Sequence, residues 1–290
     1  MNLTKLSALA LSIALLSLSS CENHQLAPSA PLPSSEVRAS ETAGFSTDDI
    51  IVTVAKKHTL VKHGTATLAY DAAGKLVKVT DGNRTTTYTH SAGKIGVLTL
   101  VSGVKTEEGN YYLDANGRCT HSDVAGFTVE YGIPVKTLNW FKYDYDAKGR
   151  LAKRYHDIYP NMRVEFAYNA DGDLTEVKEF DNPNNVIQKN TYEYQYAGSS
   201  ILTDNNRLNA TEVVKLDPYL RIFGKTSKHL VRRLKINRPV YNGINNDYRF
   251  GYTMNADGYP TVAQKYNVSN GALLQTSIFE YVVSDLTMMP

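Results

Sequence analysis

Apolar and polar residues alternate along several stretches of the chain with a period of two. The clearest stretches are Ala66-x-Leu68-x-Tyr70, Phe141-x-Tyr143-x-Tyr145, Val164-x-Phe166-x-Tyr168, Tyr192-x-Tyr194-x-Tyr196 and Tyr248-x-Phe250-x-Tyr252. The intervening residues are mostly threonine or charged, for example Thr67, Lys142 and Glu165. Because successive side chains of a strand point to opposite faces, this pattern predicts antiparallel strands with one buried face and one solvated face.

A short cassette ends most of these stretches: tyrosine, Asp or Asn, Ala-x-Gly, and often a basic and an aliphatic residue. Clear copies begin at Tyr70, Tyr145 and Tyr168, looser copies at Tyr112 and Tyr252, and weak copies at Tyr88 and Tyr196. A glycine after Asp, Asn or Lys supplies the positive φ of a tight hairpin turn, and the Asp or Asn closes a side-chain turn. These glycines include Gly74, Gly149, Gly172 and Gly258. Each tyrosine is therefore predicted to be the last inward residue before the chain reverses.

The spacing of the cassettes predicts the architecture. Successive cassette tyrosines lie about 18 to 33 residues apart, with a longer gap from Tyr196 to Tyr252, and two strands with two turns fit that interval. We predict an all-β, up-and-down antiparallel meander of about 12 to 16 strands, curled or closed into a barrel-like sheet. The best helix candidate is Ser227 to Leu234, where Leu230, Val231 and Leu234 would share one face.

The N-terminal residues predict a targeting segment rather than part of the fold. Lys5 is followed by an apolar stretch from Leu6 to Leu18 and by small residues, which is typical of a signal peptide over residues 1–20. The sequence Leu18-Ser19-Ser20-Cys21 resembles the lipobox of bacterial lipoproteins. That resemblance implies diacylglyceryl transfer to Cys21, cleavage before it and acylation of the new amino terminus, for which palmitate is the expected chain. An ordinary secretory signal with a chance cysteine is the alternative.

Several acyl chains anchor a protein stably, so the membrane is the expected partner and the outer membrane the expected location. Residues 21–45 contain Pro28, Pro31 and Pro33 among serines and are interpreted as a flexible tether. Residues 46–290 are long enough for a single β-meander domain with its own core. Cys119 is the one other cysteine, so no internal disulfide is expected. The 31 basic and 29 acidic residues give no nucleic-acid signature.

Two family resemblances accompany these features. The segment from Tyr145 to Leu151 resembles the YD repeats of Rhs-type proteins, which build spiralling β-hairpin sheets. The lipobox, the tether and the degenerate cassettes together resemble short Bacteroidota lipoproteins with an uncharacterised domain described as porin-like in fold. This resemblance covers roughly residues 50–285 and implies a barrel-like sheet and an envelope location. It implies no activity, and the chain is shorter and less regularly spaced than Rhs proteins.

No strong catalytic motif is present: there is no nucleophile elbow, no His-Glu-x-x-His, no phosphate loop and no Cys-x-x-Cys. The seven histidines are scattered, and nothing in their spacing demands a metal. Among carboxylate pairs, Glu176 and Glu179 would face opposite sides of a strand, and Asp144 is expected on the solvated face. We therefore expect no enzyme activity, no cofactor and no metal.

Two groups of residues are candidates for ligand binding. Trp140 and Tyr143 belong to an aromatic series that would stack on sugars, although Trp140 has the opposite phase from Phe141 and otherwise packs under a loop. A basic stretch would contact phosphates of lipopolysaccharide or an acidic glycan, or else protect a solvated edge strand. It comprises Lys225, Lys228, His229, Arg232, Arg233, Lys235 and Arg238.

The sequence thus predicts a cell-envelope lipoprotein with a non-catalytic β-repeat domain in a binding or scaffolding role. Its expected partners are the membrane, through acyl chains on Cys21, and an envelope glycan or another envelope protein. The alternative is a glycan-binding lipoprotein that serves nutrient uptake through exposed aromatic residues.

Overall fold

A computed structural model describes residues 56–130, 133–209, 216–240 and 243–285. These residues contain sixteen strands and no helix. The strands are β1 (Lys56–His63), β2 (Ala66–Tyr70), β3 (Leu76–Asp81), β4 (Arg84–Ser91), β5 (Lys94–Val101), β6 (Val104–Leu113), β7 (Cys119–Glu130), β8 (Ile133–Tyr145), β9 (Leu151–His156), β10 (Arg163–Tyr168), β11 (Leu174–Phe180), β12 (Val186–Glu193), β13 (Arg233–Arg238), β14 (Ile244–Met254), β15 (Pro260–Asn267) and β16 (Leu273–Asp285).

The sixteen strands form a closed antiparallel barrel in which each strand pairs with its neighbours in sequence. The ring closes where β1 pairs with β16, with Lys56 opposite Asp285 and His63 opposite Phe279. The predicted all-β meander is therefore confirmed, and of the two arrangements left open the sheet adopts the closed one. Closure removes the unpaired edges that an open sheet would present.

The alternation predicts which side chains face inward. Leu68, Ile95, Val177 and Leu234 are buried and belong to one core inside the barrel. Thr67, Lys142 and other residues of the opposite phase are exposed on the outer wall. The two faces of the sheet therefore separate apolar from polar residues, as the period of two requires.

The barrel has two distinct ends. All cassette turns follow even-numbered strands and share one end, which we call the cassette end. The turns after odd-numbered strands form the opposite, distal end. Since β1 begins and β16 finishes at the cassette end, Lys56 and Asp285 both lie there.

The predicted helix from Ser227 to Leu234 is wrong. Residues 227–232 are irregular, and Arg233 starts strand β13. Their main-chain groups bond to other segments: the Leu230 N–H donates to the Leu202 carbonyl at 2.8 Å, and the Arg232 N–H to the Glu193 carbonyl at 2.8 Å. Because these partners satisfy the backbone, no helical ladder is needed.

The predicted signal peptide, the lipidated Cys21 and the tether lie outside the described residues and stay predictions. Within the described part of the chain, no helix has the length and apolar composition that a membrane span requires.

Candidate functional site: the plugged lumen of the barrel

The cassette turns share one hydrogen-bond pattern. In the first, Asp71 Oδ1 accepts from the N–H groups of Ala73 and Lys75 at 3.0 and 2.8 Å, and the Gly74 N–H donates to the Asp71 carbonyl at 2.9 Å. Asp114, Asp146 and Asn255 close their turns in the same manner, whereas Asn169 Oδ1 accepts from the N–H groups of Gly172 and Asp173. The cassette glycines have positive φ, for example 74° at Gly74 and 77° at Gly149. Glycine adopts this conformation without the steric cost of a Cβ.

The cassette tyrosines link neighbouring repeats. The hydroxyl of Tyr70 donates to the Leu60 carbonyl at 2.8 Å, and the hydroxyl of Tyr168 to the Leu151 carbonyl at 2.9 Å. The cassette tyrosines Tyr145 and Tyr252 make the same bond, to Cys119 and Val231, at 2.7 and 2.8 Å. Two tyrosines outside the cassettes also make it: Tyr194 to Leu174 at 2.8 Å and Tyr281 to Pro260 at 2.7 Å. Burial raises the pKa of these hydroxyls, so they remain protonated donors.

The basic residue of the cassette binds its own turn and the next tyrosine. The Arg150 guanidinium donates to Asp146 Oδ2 at 2.7 and 2.6 Å and lies 4.5 Å from the centroid of the Tyr168 ring. Arg118 does the same with Asp114 and Tyr145. Each pair combines an ion pair, in which two guanidinium N–H groups donate to one carboxylate oxygen, with a cation–π contact, and together these contacts order the cassette end of the barrel.

The connection between β12 and β13 comprises residues 194–232; its described residues, 194–209 and 216–232, enter the barrel from the cassette end, and we call them the plug. Four of its apolar residues belong to the same core as the inward side chains of the strands: Leu216, Leu220, Ile222 and Phe223. Leu230 is also buried. The Ile222 carbonyl accepts from the Cys119 N–H at 2.7 Å and from the Tyr145 hydroxyl at 3.2 Å. The plug therefore fills the lumen at this end and is bonded directly to the wall.

At Gly224 the plug backbone approaches the wall closely. A Cβ at this position would lie 2.6 Å from the Gly149 carbonyl oxygen and 2.9 Å from the Tyr145 ring, and φ is +81°. The neighbouring Lys225 N–H donates to that Gly149 carbonyl at 3.0 Å. Only glycine fits here, for steric and conformational reasons together.

The cassette that begins at Tyr168 departs from the pattern, because Asp173 occupies the position of the basic residue. Asp173 is 1% exposed, and its Oδ1 accepts from the N–H groups of Lys228 and His229 at 2.8 and 3.1 Å. Its Oδ2 lies 2.7 Å from His229 Nδ1. This departure from the cassette therefore anchors the plug.

Beyond the plug, a cavity of about 460 Å³ remains in the lumen. Apolar plug residues, including Leu216, Leu230 and Val231, line it on one side. Around it stand Leu151, Phe166, Tyr168, Leu174, Tyr192, Tyr194, Leu234, Phe250 and Tyr252. Its lining reaches His63, Lys265, Gln275 and Ser277 toward the distal end. Its volume falls within the range of about 300–1,000 Å³ typical of small-molecule sites.

Two side chains dominate the electrostatics of the distal part of the cavity. His63 stacks on Phe279 with the ring centroids 4.6 Å apart, and its Nδ1 lies 3.2 Å from the Tyr219 hydroxyl. Burial lowers the pKa of His63, although the charge of Asp81 raises it in part. Lys265 Nζ lies 4.1 Å from the centroid of the Tyr248 ring.

The structure does not bring together the predicted aromatic ligands Trp140 and Tyr143. Tyr143 points inward, bonds to Ser122 at 3.1 Å and packs on Phe223 of the plug. Trp140 lies on the outer wall opposite Asp123 and is 39% exposed. Their opposite phases on β8 separate them, and the role of each in binding stays a prediction.

The basic stretch is dispersed rather than gathered into one patch. Arg233 points outward and bonds to Asp247 at 2.9 and 2.6 Å, whereas Arg232 lies between the rings of Tyr196 and Tyr252, 5.1 and 6.0 Å from their centroids. The edge-strand interpretation is wrong, because β13 pairs with β12 on one side and β14 on the other. Four strands, β9 to β12, separate β13 from the strand of Trp140.

The described residues contain no group of three or more His, Cys, Asp or Glu side chains that could hold a metal ion. His229 and Ser227 line the cavity, and His229 pairs with the buried Asp173 at 2.7 Å. Ser227 Oγ, however, accepts from the Leu174 N–H at 3.0 Å and bonds to the Tyr194 hydroxyl at 2.9 Å. These bonds give the three residues a structural role in holding the plug.

Exposed large apolar side chains concentrate at the distal end, and we call this set the distal rim. By strand direction it comprises Val104, Val129, Leu138, Trp140, Ile158, Tyr159, Met162, Val240, Val268, Leu273 and Leu274. Among these residues the sequence singles out only Trp140, because exposed apolar residues at strand ends and in turns follow no regular period.

Two solved structures share this fold. One is a porin-like protein from Bacteroides uniformis ATCC 8492, 14% identical, with a TM-score of 0.52 over 79% of this chain and 95% of that one. The other is a porin-like protein from Bacteroides vulgatus ATCC 8482, 15% identical, with a TM-score of 0.55 over 78% of this chain and 99% of that one. No protein-family model matches the chain, and a search among curated proteins finds no match. At these identities the likeness establishes the barrel fold.

Proposed function

We propose that the protein is a lipid-anchored, non-catalytic β-barrel protein of the cell envelope that binds a small ligand in its lumen. The observation that carries this proposal is the plugged barrel with its remaining cavity of about 460 Å³. Since residues of the plug occupy the lumen at the cassette end, the barrel is suited to hold a ligand rather than to conduct one.

The outer wall supports a barrel surrounded by water. Glu176 forms ion pairs with Lys178 and Lys189 at 2.6 and 2.5 Å, and Arg233 pairs with Asp247 at 2.6 Å, all on outward positions. A barrel that spans a membrane instead carries an apolar outward band about 25 Å tall. Anchoring at the outer membrane through acyl chains on Cys21 is compatible with such a barrel. The resemblance of the cassettes and the lipobox to Bacteroidota lipoproteins also supports it.

Fractionation of cells that express the full chain tests the anchor. We expect the native protein in the membrane fraction and a Cys21→Ala variant in the soluble fraction, without detergent. A Cys21→Ala protein that stays in the membrane fraction would contradict this part of the proposal and favour an inserted barrel.

A pair of matched variants tests binding in the lumen. Ala263 lines the cavity, whereas Val262 faces outward opposite Ile278. In a screen of envelope glycans and lipids against the chain from residue 21 with Cys21→Ala, we expect Ala263→Phe to abolish binding of the ligand found and Val262→Phe to preserve it. Calorimetry measures both affinities, and equal affinities in the two variants would exclude the lumen.

Glycan binding on the outside of the barrel is the second candidate. It is favoured by the exposure of two aromatic side chains of the distal rim, Trp140 at 39% and Tyr159 at 61%. For this function we expect Trp140→Ala to remove glycan binding and Ala263→Phe to leave it unchanged. The reverse result would assign the ligand to the lumen.

A further inference from the structure

A second cavity, of about 390 Å³, lies at the cassette end beside the plug, and we call it the side cavity. The start of β1 and the turn between β2 and β3 form one side of it, and residues 205–208 and 219–222 of the plug form the other. It shares Asn206 and Leu208 with the lining of the cavity in the lumen, whereas Ala263 belongs to the cavity in the lumen. A ligand of the side cavity would therefore occupy a second site, beyond the proposed function.

The ladder between β1 and β2 is short beside this cavity. It joins residues 62–63 of β1 to residues 66–67 of β2, toward the distal end. Nearer the cassette end, the two strands are linked by the Tyr70 hydroxyl, which donates to the Leu60 carbonyl at 2.8 Å. Thr59 has the outward phase of β1 and nevertheless lines the side cavity. The side cavity therefore reaches into the wall between these two strands.

Four basic side chains line the side cavity: Lys57, Lys75, Arg207 and Arg221. None of its described lining residues is an aspartate or a glutamate, and none of the four basic side chains forms an ion pair with a described carboxylate. Lys57 Nζ lies 3.6 Å from the position that a Cβ would take at Gly74, so it is next to the turn that carries Lys75. A cleft lined by charges of one sign attracts ligands of the opposite sign.

Two carboxylates lie near the side cavity without lining it. Asp204 is within electrostatic range of Arg207 and Arg221: burial raises its pKa, whereas hydrogen bonds from main-chain N–H groups and the two guanidinium charges lower it. Asp257 accepts from His58 Nε2 at 3.1 Å. One carboxylate is thus shared by two arginines, and the two lysines have none among the described residues. Positive charge is in excess at this site.

His58 adds a buried polar atom to the lining. Its side chain is 2% exposed, and its ring stacks on Tyr259 with the centroids 4.1 Å apart. Nε2 is engaged by Asp257, but Nδ1 is buried and has no hydrogen-bond partner among the described residues. An unpaired buried polar atom costs free energy, and a hydrogen bond to a ligand in the side cavity would remove that cost.

We infer that the side cavity binds a small phosphate monoester, with the phosphate group among the four basic side chains and the organic group between the strands and the plug. A phosphate monoester carries about two negative charges at neutral pH and three acceptor oxygens, so it can pair with several cations at once. Buried aliphatic side chains of the lining, such as Leu60 and Leu68, offer apolar surface to the organic group. The volume lies within the range typical of small-molecule sites.

Three compounds test the ligand class: phenyl phosphate, inorganic phosphate and phenol. Calorimetry measures their affinities for the purified full chain with Cys21→Ala. We expect phenyl phosphate to bind about tenfold more tightly than inorganic phosphate, because its ring buries apolar surface. Phenol, which lacks the charge, should bind more weakly than either. Cosedimentation with phosphatidylcholine vesicles that contain phosphatidic acid tests the same phosphate group on a lipid surface.

Variants of two cations test the position of the phosphate group. Lys75→Met and Arg207→Gln should each weaken phenyl phosphate about fivefold, and together about twentyfold. Lys148→Met is the matched control, because Lys148 is an exposed lysine of another cassette turn at the same end and lines neither cavity. Thermal unfolding of each variant without ligand establishes that the barrel is intact.

A bulky side chain tests whether the ligand enters the side cavity. Thr59→Trp should abolish binding of phenyl phosphate, whereas Thr276→Trp, at an exposed position of β16, should preserve it. Ala263→Phe should also preserve it, since Ala263 lines only the cavity in the lumen.

Several outcomes would overturn the inference: no binding of phenyl phosphate, equally tight binding of inorganic phosphate or phenol, or equal weakening by Lys148→Met and Lys75→Met. Binding to the vesicles without binding of phenyl phosphate would assign the cations to a lipid surface instead. If Ala263→Phe abolishes binding of phenyl phosphate and Thr59→Trp does not, the inference fails and the proposed function stands. If phenyl phosphate binds as expected and no ligand responds to Ala263→Phe, the proposed function fails and the side cavity remains a phosphate site.

Discussion

The hydroxyl of a cassette tyrosine explains why the chain uses 20 tyrosines and only 8 phenylalanines. At the last inward position of a strand, the ring fills the core while the hydroxyl reaches a carbonyl of the preceding repeat, as Tyr168 does with Leu151. Phenylalanine would supply the same apolar area but leave that carbonyl without this donor. Tyrosine thus combines packing with a link between repeats.

Removal of one such hydroxyl should destabilise the barrel measurably. We expect Tyr168→Phe to lower the free energy of unfolding by about 1–2 kcal/mol, because a buried carbonyl loses its donor. Urea denaturation measures the change. Tyr159→Phe is the control, since this tyrosine is 61% exposed, and its effect should stay within about 0.5 kcal/mol. Equal effects of the two variants would contradict the structural role of the hydroxyl.

His63 should make stability depend on pH. Burial lowers its pKa from the model-peptide value of 6.5, so the folded protein holds it neutral where the unfolded chain takes up a proton. The stability contributed by neutral His63 is present above pH 6.5 and is lost as the pH falls through the lowered pKa. Urea denaturation between pH 8 and pH 5 should show this loss.

Two histidine variants separate this effect from general acid sensitivity. His63→Gln should flatten the decrease in stability below pH 6.5, whereas His121→Gln, on the exposed outer wall, should retain it. An unchanged pH profile in His63→Gln would show that another group causes the loss.

At the scale of elements, the cassette is a hairpin unit and its exceptions position the plug. Asp71, Asp114 and Asp146 each close a turn, and Arg118 and Arg150 form ion pairs with the aspartates of two of these turns. Where an acidic residue replaces the basic one, Asp173 turns inward and binds residues 228 and 229 of the plug. An acidic residue in place of a basic one thus allows this turn to hold the plug.

Asp173→Ala should release the plug while the strands remain paired. The change leaves the N–H groups of Lys228 and His229 without their acceptor in the core, so the free energy of unfolding should fall by about 2–4 kcal/mol. Limited proteolysis with mass spectrometry should show faster cleavage within residues 194–232. Asp171→Ala in the same turn is exposed and should cleave at the native rate. A plug that is cleaved no faster in Asp173→Ala would contradict the anchoring role.

At the scale of the whole molecule, closure of the barrel depends on the pairing of the first and last strands. Thr59 of β1 lies opposite Val282 of β16. This contact between residues far apart in sequence has no repeat signal of its own. The outward positions beside it include the ion pair of Lys62 and Glu280 at 2.6 Å.

A disulfide across this pair of strands tests closure directly. In a Cys21→Ala background, Thr59→Cys with Val282→Cys should cross-link under mild oxidation and raise the free energy of unfolding by roughly 2–4 kcal/mol. Cys119 should not interfere, because it is buried and burial raises its pKa to about 12. Non-reducing electrophoresis measures the cross-link.

In the matched control the second cysteine replaces Thr276, which precedes Val282 in β16. Thr276 lies about 20 Å from Val282, the residue opposite Thr59, because strands rise about 3.3 Å per residue, so no intramolecular cross-link should form. An open sheet would cross-link neither pair, and that result would contradict the closed barrel.

Much of the fold follows from local patterns, and much of the site does not. Alternation around Leu68, Tyr143 and Tyr168 identifies strands and their inward faces, because burial on one side of a sheet imposes a period of two. The plug has no such period: Leu216, Leu220 and Leu230 are buried through contacts with many different strands. The segment from Ser227 to Leu234 was therefore open to interpretation as a helix.

The sequence by itself determined the all-β class, the inward phase of each alternating strand and the turn at each cassette, because these depend on residues close together in the chain. Tertiary structure decided that the sheet closes, that the described residues of the plug lie inside it, that Asp173 binds residues 228 and 229 of the plug, and that Gly224 packs against Gly149. It also separated Trp140 from Tyr143 and placed Lys265 in the lining of the cavity. These outcomes depend on contacts between residues distant in sequence. A local sequence pattern contains no information on the free energy of such contacts.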